Sequence, residues 1–246
     1  MVGLLLVFGA AWASQERDAV DDDVQERHAA EGPSADLNVL TPALRHVEAG
    51  QAEVAAHLGA YAGGGATFTS TFSSAGPVTA VRAGWAPVDR LWLDVRAGYG
   101  APVDQLDLGL GLAYGTASYA LVDGDVFRTG PNLAAGFLAV DAVAFGSAGW
   151  TAVLTPAEAI SFDLTGQVVV GKGSPSEPTV LPYWEAGLTV HPEDSPHSVR
   201  LGLAAVAPTA AYRYEQDGWF TQVHATGLFL GLVGGAEAGV EVGRTF

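Results

Sequence analysis

The sequence predicts an all-β chain folded as an antiparallel up-and-down β-barrel of 10 or 12 strands. Three observations carry that prediction. Apolar and polar residues alternate with a period of two along most of the chain after residue 50. Glycine accounts for 32 of 246 residues, well above the usual ~7%. No apolar run of the ~18 residues needed for a spanning helix follows the N-terminus.

The chain divides into three parts. Residues 2–13 form a short apolar segment ending in Ala11-Trp12-Ala13, a pattern suited to signal-peptidase cleavage before Ser14. Residues 1–13 are therefore expected to be a signal peptide, although no Lys or Arg precedes the apolar run. Residues 14–50 are expected to form an acidic, flexible periplasmic segment, because so charged a stretch buries too little apolar area to offset its ordering entropy. Asp21-Asp22-Asp23 lies within it but lacks the D-x-D-x-D-G spacing of a calcium loop. Leu37, Val39, Leu40, Leu44 and Val47 predict a short helix near a barrel mouth. Residues 51–246 are expected to be the barrel.

Within the barrel, Ala52, Val54, Ala56, Leu58 and Ala60 share one face of the first strand, with Glu53 and His57 on the other. Residues 63–76 read as a loop or the tip of a long hairpin. Pro77–Trp85 follows as a strand with Val81, Ala83 and Trp85 outward and Arg82 inward, and Ala86-Pro87-Val88-Asp89 reads as a turn. The alternation is cleanest in Arg90–Gly100, where Leu91, Leu93, Val95, Ala97 and Tyr99 oppose Trp92, Asp94 and Arg96. Leu106, Leu108, Leu110, Leu112 and Tyr114 oppose Asp107 in the next run, and the two runs make a hairpin.

The middle of the chain is harder to read. Ala117–Val122 reads as a short strand and Gly124–Asn132 as a loop. Leu133–Phe145 shows two competing phases, Ala148–Leu154 is a strand, and Thr155-Pro156-Ala157-Glu158 is a turn. Alternation then resumes. Ile160, Phe162, Leu164, Val168 and Val170 oppose Asp163, Thr165 and Gln167; Trp184, Ala186, Leu188 and Val190 oppose Glu185; Val199, Leu201 and Leu203 oppose Arg200. Residues 208–218 read as a polar loop, and Trp219–Gly231 as a strand with a bulge near Gly227. These runs number about eleven, whereas single-chain bacterial barrels have even strand numbers, so one run between residues 115 and 150 is misread.

The last strand, Ala236–Phe246, places Ala236, Ala238, Val240, Val242 and Phe246 on one face and Glu237, Gly239, Glu241, Gly243 and Thr245 on the other. This arrangement resembles the closing strand of Gram-negative bacterial outer-membrane β-barrel proteins. The resemblance covers residues 51–246 as a pattern. It implies insertion in outer-membrane lipid and recognition of the C-terminal strand by the barrel assembly machinery. Arg244 departs from the pattern, standing where the alternation calls for an apolar residue, and is expected to snorkel toward the interface. A membrane barrel also accounts for Trp85, Tyr99, Tyr114, Phe162 and Trp184 near strand ends on apolar faces, as interfacial girdles. A soluble ligand-binding barrel would show the same periodicity with the apolar faces turned inward.

A formal charge of −16 excludes a nucleic-acid partner, which requires a basic footprint. With no cysteine there is no disulfide framework and no thiolate metal site. The expected lumen-lining residues are Glu53, His57, Arg82, Asp94, Arg96, Asp107, Asp163, Glu185, Arg200, Glu237 and Glu241. Ion pairing across neighbouring strands is the expected role of these charges. No G-x-S-x-G is present, and His57, His191 and His224 lack H-x-x-x-H or H-E-x-x-H spacing. No catalytic, cofactor-binding or metal-binding residue is therefore assigned. The expected function is non-enzymatic: a narrow pore, a transport accessory or a structural surface protein, with the small solute unspecified. The alternatives are an outer-membrane enzyme acting on lipid or peptide at the barrel rim, which requires a histidine and an acid to converge near one end, and the soluble periplasmic barrel.

Overall fold

The computed structural model describes residues 44–66, 71–100, 110–138, 143–172, 178–192, 195–230 and 233–246. The signal-peptide reading, most of the acidic segment and Asp107 lie outside these residues.

The first strands are β1 (Ala52–Ala66), β2 (Thr71–Val88), β3 (Leu91–Gly100) and β4 (Leu110–Tyr119). A two-residue strand β5 (Val122–Asp123) precedes β6 (Phe127–Leu138) and β7 (Val143–Ala157). Then come β8 (Ile160–Lys172), β9 (Thr179–Val190), β10 (His197–Ala204), β11 (Ala207–Gln216), β12 (Trp219–Leu230) and β13 (Val233–Thr245). Every pairing is antiparallel. β13 pairs with β1 and β4 pairs with β6, so twelve strands close into a barrel with β5 as an outlying ribbon. Closure leaves no edge, which backbone groups in hydrocarbon require.

The alternation settles inside and outside. Leu58, Val81, Leu133, Leu164, Leu201 and Val223 are exposed on the outer surface, while Glu53, Arg82, Gln167, Glu185, Arg200 and Glu241 are buried within. Val95 and Tyr99 also face outward, as do Leu91 and Leu93, half-buried on the same parity. A soluble barrel needs that face inside, so that alternative fails. Two outward polar groups satisfy each other: Trp150 Nε1 donates to Thr129 Oγ1 at 2.6 Å, and that hydroxyl donates to the Thr151 carbonyl at 2.8 Å.

Several elements differ from the sequence reading. Gly124–Asn132 is not a loop, since β6 begins at Phe127. The two phases of Leu133–Phe145 are the ends of two strands: Leu133 and Phe137 face outward on β6, and half-buried Phe145 faces inward on β7. Residues 208–218 are not a loop either. They form β11 and a tight turn at Asp217-Gly218, both with positive φ (53° and 71°), the backbone that Asp-Gly favours in two-residue hairpins. No bulge occurs at Gly227, because the β12–β13 register runs unbroken from Trp219↔Arg244 to Leu230↔Val233. The register shifts fall instead at Trp85/Val88 and Leu154/Ala157. Pro87 and Pro156 sit in these two irregularities, where the missing N–H costs no ladder bond.

Tyr114 belongs to no girdle. It pairs with Arg96 across β3–β4 and is buried inside. Large apolar residues marked the outer face in the sequence reading, yet β4 turns Ala113, Gly115 and Ala117 outward. On β4 side-chain size therefore does not mark the outer face.

Residues 44–48 are not helical. This segment laces the mouth of the barrel to the β2–β3 turn. Arg90 N donates to the Val47 carbonyl (3.0 Å), Gly50 N to the Ala86 carbonyl (2.8 Å) and Ala49 N to Asp89 Oδ1 (2.8 Å). Val47, Ala86 and Trp92 form a buried apolar cluster beneath it, and the Arg45 guanidinium lies 4.9 Å from the Trp92 ring centroid.

Candidate lumenal site

Alternation sends one residue in two into the barrel, and register decides which of them meet. The largest cluster lies toward the end of the barrel where Ala52 and Phe246 meet. Glu53 on β1 accepts Arg45 Nη1 at 2.9 Å and also contacts Arg82 of β2. Arg82 reaches Glu241 of β13 (3.1 Å) and Asp94 of β3 (3.5 Å), and Arg96 reaches the other Glu241 oxygen (3.5 Å). Arg213 of β11 closes the cluster, 3.7 Å from Glu53 and 2.7 Å from Glu215. Four arginines thus meet four carboxylates, so the cluster balances its formal charge. Arg213 Cζ also stacks 3.9 Å from the Phe220 ring centroid.

A second cluster lies across the lumen. Arg200 of β10 holds Asp163 of β8 through Nη2 (2.6 Å) and Nε (3.2 Å), a two-pronged grip, and reaches Glu185 of β9 at 2.8 Å. A third is neutral. Asn132 Nδ2 donates to Thr151 Oγ1 (2.6 Å), Gln167 Nε2 donates to Asn132 Oδ1 (2.7 Å), and the Thr151 and Thr165 hydroxyls lie 2.9 Å apart.

The fourth cluster is the tightest gathering of histidine and acid among the described residues. His57 of β1 and His224 of β12 stack with ring centroids 4.9 Å apart and planes inclined by 20°. His57 Nε2 lies 2.9 Å from Glu237 Oε1 on β13, and His224 Nε2 lies 3.8 Å from the same oxygen. The cluster sits within the spans of its three strands, not at a rim. The rim enzyme expected as an alternative would need this convergence at one end.

Outside the twelve-strand wall, Asp123 of the β5 ribbon gathers His46 (3.1 Å), Arg128 (2.8 Å) and Arg90 (3.8 Å). Burial alone would raise the Asp123 carboxyl, but hydrogen bonds from His46 and Arg128 outweigh it and hold the group below the usual carboxylate range. His191, just past β9, is pushed down by burial, with the opposing pull of its hydrogen bond to the Glu158 backbone too weak to cancel it.

The structure places Glu53, His57, Arg82, Asp94, Arg96, Glu185, Arg200 and Glu241 buried on the inner face, with Asp163 and Glu237 partly open to the lumen. Sequence reasoning missed Arg213 and Glu215, because their strand read as a loop; the Asp217-Gly218 dipeptide was the signal that marked a hairpin there. It also missed Arg45, for which the sequence holds no signal, and the pairing of His224 with His57, which only register reveals.

No family model matches this sequence, and no curated protein does. Solved structures do. An outer-membrane channel from Pseudomonas putida F1 matches with a TM-score of 0.55 at 14% identity, covering 88% of this chain and 100% of that one. The KdgM porin in complex with disordered oligogalacturonate matches with a TM-score of 0.53 at 8% identity, covering 77% and 97%. The translocator domain of the autotransporter NalP from Neisseria meningitidis matches with a TM-score of 0.50 at 15% identity, covering 82% and 91%. These likenesses establish the fold: the chain is a closed antiparallel barrel of the kind found in Gram-negative outer membranes.

Proposed function

We propose that this chain is a non-enzymatic barrel of a Gram-negative outer membrane that passes small solutes through a narrow, charge-lined lumen. One observation carries the reading: the wall is apolar outside and charged inside, with the arginines and acids of the inner face gathered in clusters. Two of the similar structures bear the words channel and porin, one of them with an oligogalacturonate. The four-arginine cluster would be the constriction, and its balanced charge favours no strong selectivity for either sign. The exposed Phe246, whose backbone is tied to Ala52 by two hydrogen bonds, is the end we expect the assembly machinery to read.

A second reading is a plugged barrel serving as a structural surface protein. It is favoured by the near-complete burial of Glu53, Arg82, Gln222 and Glu241. Conductance across planar lipid bilayers separates the two. The pore reading expects a small conductance in the natural protein and a larger one in the R96A/E241A double variant, which removes one arginine and one acid from the constriction without changing net charge. No conductance in either protein would sink the pore and leave the plugged barrel.

A further inference from the structure

The pair of stacked histidines has no role in the pore reading. Both rings are buried, and neither ring nitrogen of either residue makes a well-aligned hydrogen bond. Buried imidazoles normally find a partner, because an unsatisfied polar group away from water is costly. Here the two Nδ1 atoms go without, and the two Nε2 atoms converge on one carboxylate oxygen. One ring nitrogen of each histidine and a Glu237 carboxylate oxygen all lie within 4.8 Å of one another.

The backbone makes room for this arrangement. Gly239 of β13 stands opposite His224 on one side and Gly59 on the other. A Cβ at Gly239 would overlap the His57 ring. Glycine at that position lets the two imidazoles lean over β13 from the strands on either side of it and stack.

We propose that His57, His224 and Glu237 form a binding site for a divalent transition-metal ion of the zinc class, bridging the first strand to the last two. Imidazole with one carboxylate is a donor set for zinc, copper or nickel, whereas calcium and magnesium require oxygen ligands throughout. Bonds of ~2.0–2.2 Å to zinc set tetrahedral ligands about 3.3 Å apart, so small side-chain adjustments close the observed spacing. Three protein ligands leave a fourth position, and Glu237, the one partly exposed member, opens it to lumenal water. The ion would fasten β1 to β12 and β13 across the seam where the first and last strands join. This holds whether or not the barrel conducts.

The test is calorimetric titration of Zn²⁺ into the full chain, folded in detergent. One ion per barrel is expected, with affinity falling more than about 100-fold in the H57Q/H224Q variant. Heat-modifiable migration on a denaturing gel checks that the variant is folded. Absence of binding in the natural protein, or unchanged affinity in the folded variant, overturns the proposal. If the variant does not fold, crystals of the natural protein soaked in zinc decide. Anomalous density within bonding distance of His57 Nε2 and His224 Nε2 supports the site, and density only elsewhere, or none, refutes it.

Discussion

Arg82 and Arg96 are direct cross-strand partners on β2 and β3, a like-charge pairing that is destabilising on its own. Glu241 resolves it by giving one carboxylate oxygen to each guanidinium. Substituting Glu241→Gln removes the anion that the two guanidiniums share, although Glu53 and Asp94 still serve Arg82. Loss of one member of a buried ionic network costs about 3–5 kcal/mol. Heat-modifiable migration measured against temperature should therefore show the variant opening well below the natural protein, and an unchanged midpoint would show the cluster to be energetically idle. Glycine offers a second contrast. A Cβ at Gly187 would stand 2.5–2.7 Å from the Arg200 guanidinium, while one at Gly166 meets nothing within 4 Å. Gly187→Ala is expected to push Arg200 off Asp163 and destabilise the barrel, and Gly166→Ala to be neutral. Equal midpoints for the two variants would contradict this account. None of these contacts was legible in the sequence. Alternation says that Arg82, Arg96 and Glu241 point the same way, but which of them touch depends on register between strands far apart in the chain.

The strands themselves were easier to read, and the failures have physical causes. β3, β8 and β10 stand out because large apolar residues alternate with charged ones. β11 does not, since Pro208, Tyr212 and Tyr214 with Arg213 and Glu215 resemble a polar loop. Its boundary lies in the turn: Gly218 has φ 71°, a conformation that costs a β-branched residue about 1–3 kcal/mol. Gly218→Val should lower stability by that amount and Asp217→Gly should not, as chemical unfolding would measure. The β5 ribbon and the 44–50 segment were misread because contacts with distant parts of the chain hold them. Asp123 gathers His46, Arg90 and Arg128 there, and its carboxyl is held below the usual range. A depressed carboxyl contributes stability at neutral pH and loses it as pH falls through its folded pKa. The amide of Arg90, which donates to Val47, should therefore exchange hydrogen faster once the medium is acidified below the ordinary carboxylate range. Asp123→Asn should produce the same loosening at pH 7. Exchange that is indifferent to both would show that the segment is held without Asp123.

At the scale of the molecule, a barrel was readable from period and composition, and the even strand number narrowed it to 10 or 12. The choice of twelve needed β11 and the β6–β7 hairpin. Sidedness was not readable from period, because a soluble barrel alternates in the same way. The structure resolves sidedness, and lipid then reverses an order of exposure that can be measured. Leu164 is 57% exposed on the outer wall, while the neighbouring Asp163 side chain, inside, is 21% exposed. In water alone the outer position would be the more reactive. In a bilayer the outer wall meets hydrocarbon, which excludes a charged thiol reagent, whereas a wet lumen admits it. Single cysteines at the two positions in native membranes should thus label at 163 and stay protected at 164. Detergent stripping followed by mild unfolding should release 164. Labelling at 164 in intact membranes would mean that the apolar wall faces water or a protein partner. Protection at both sites would mean that the lumen near Arg200 is closed to solutes as small as the reagent, which would leave the plugged barrel as the surviving account.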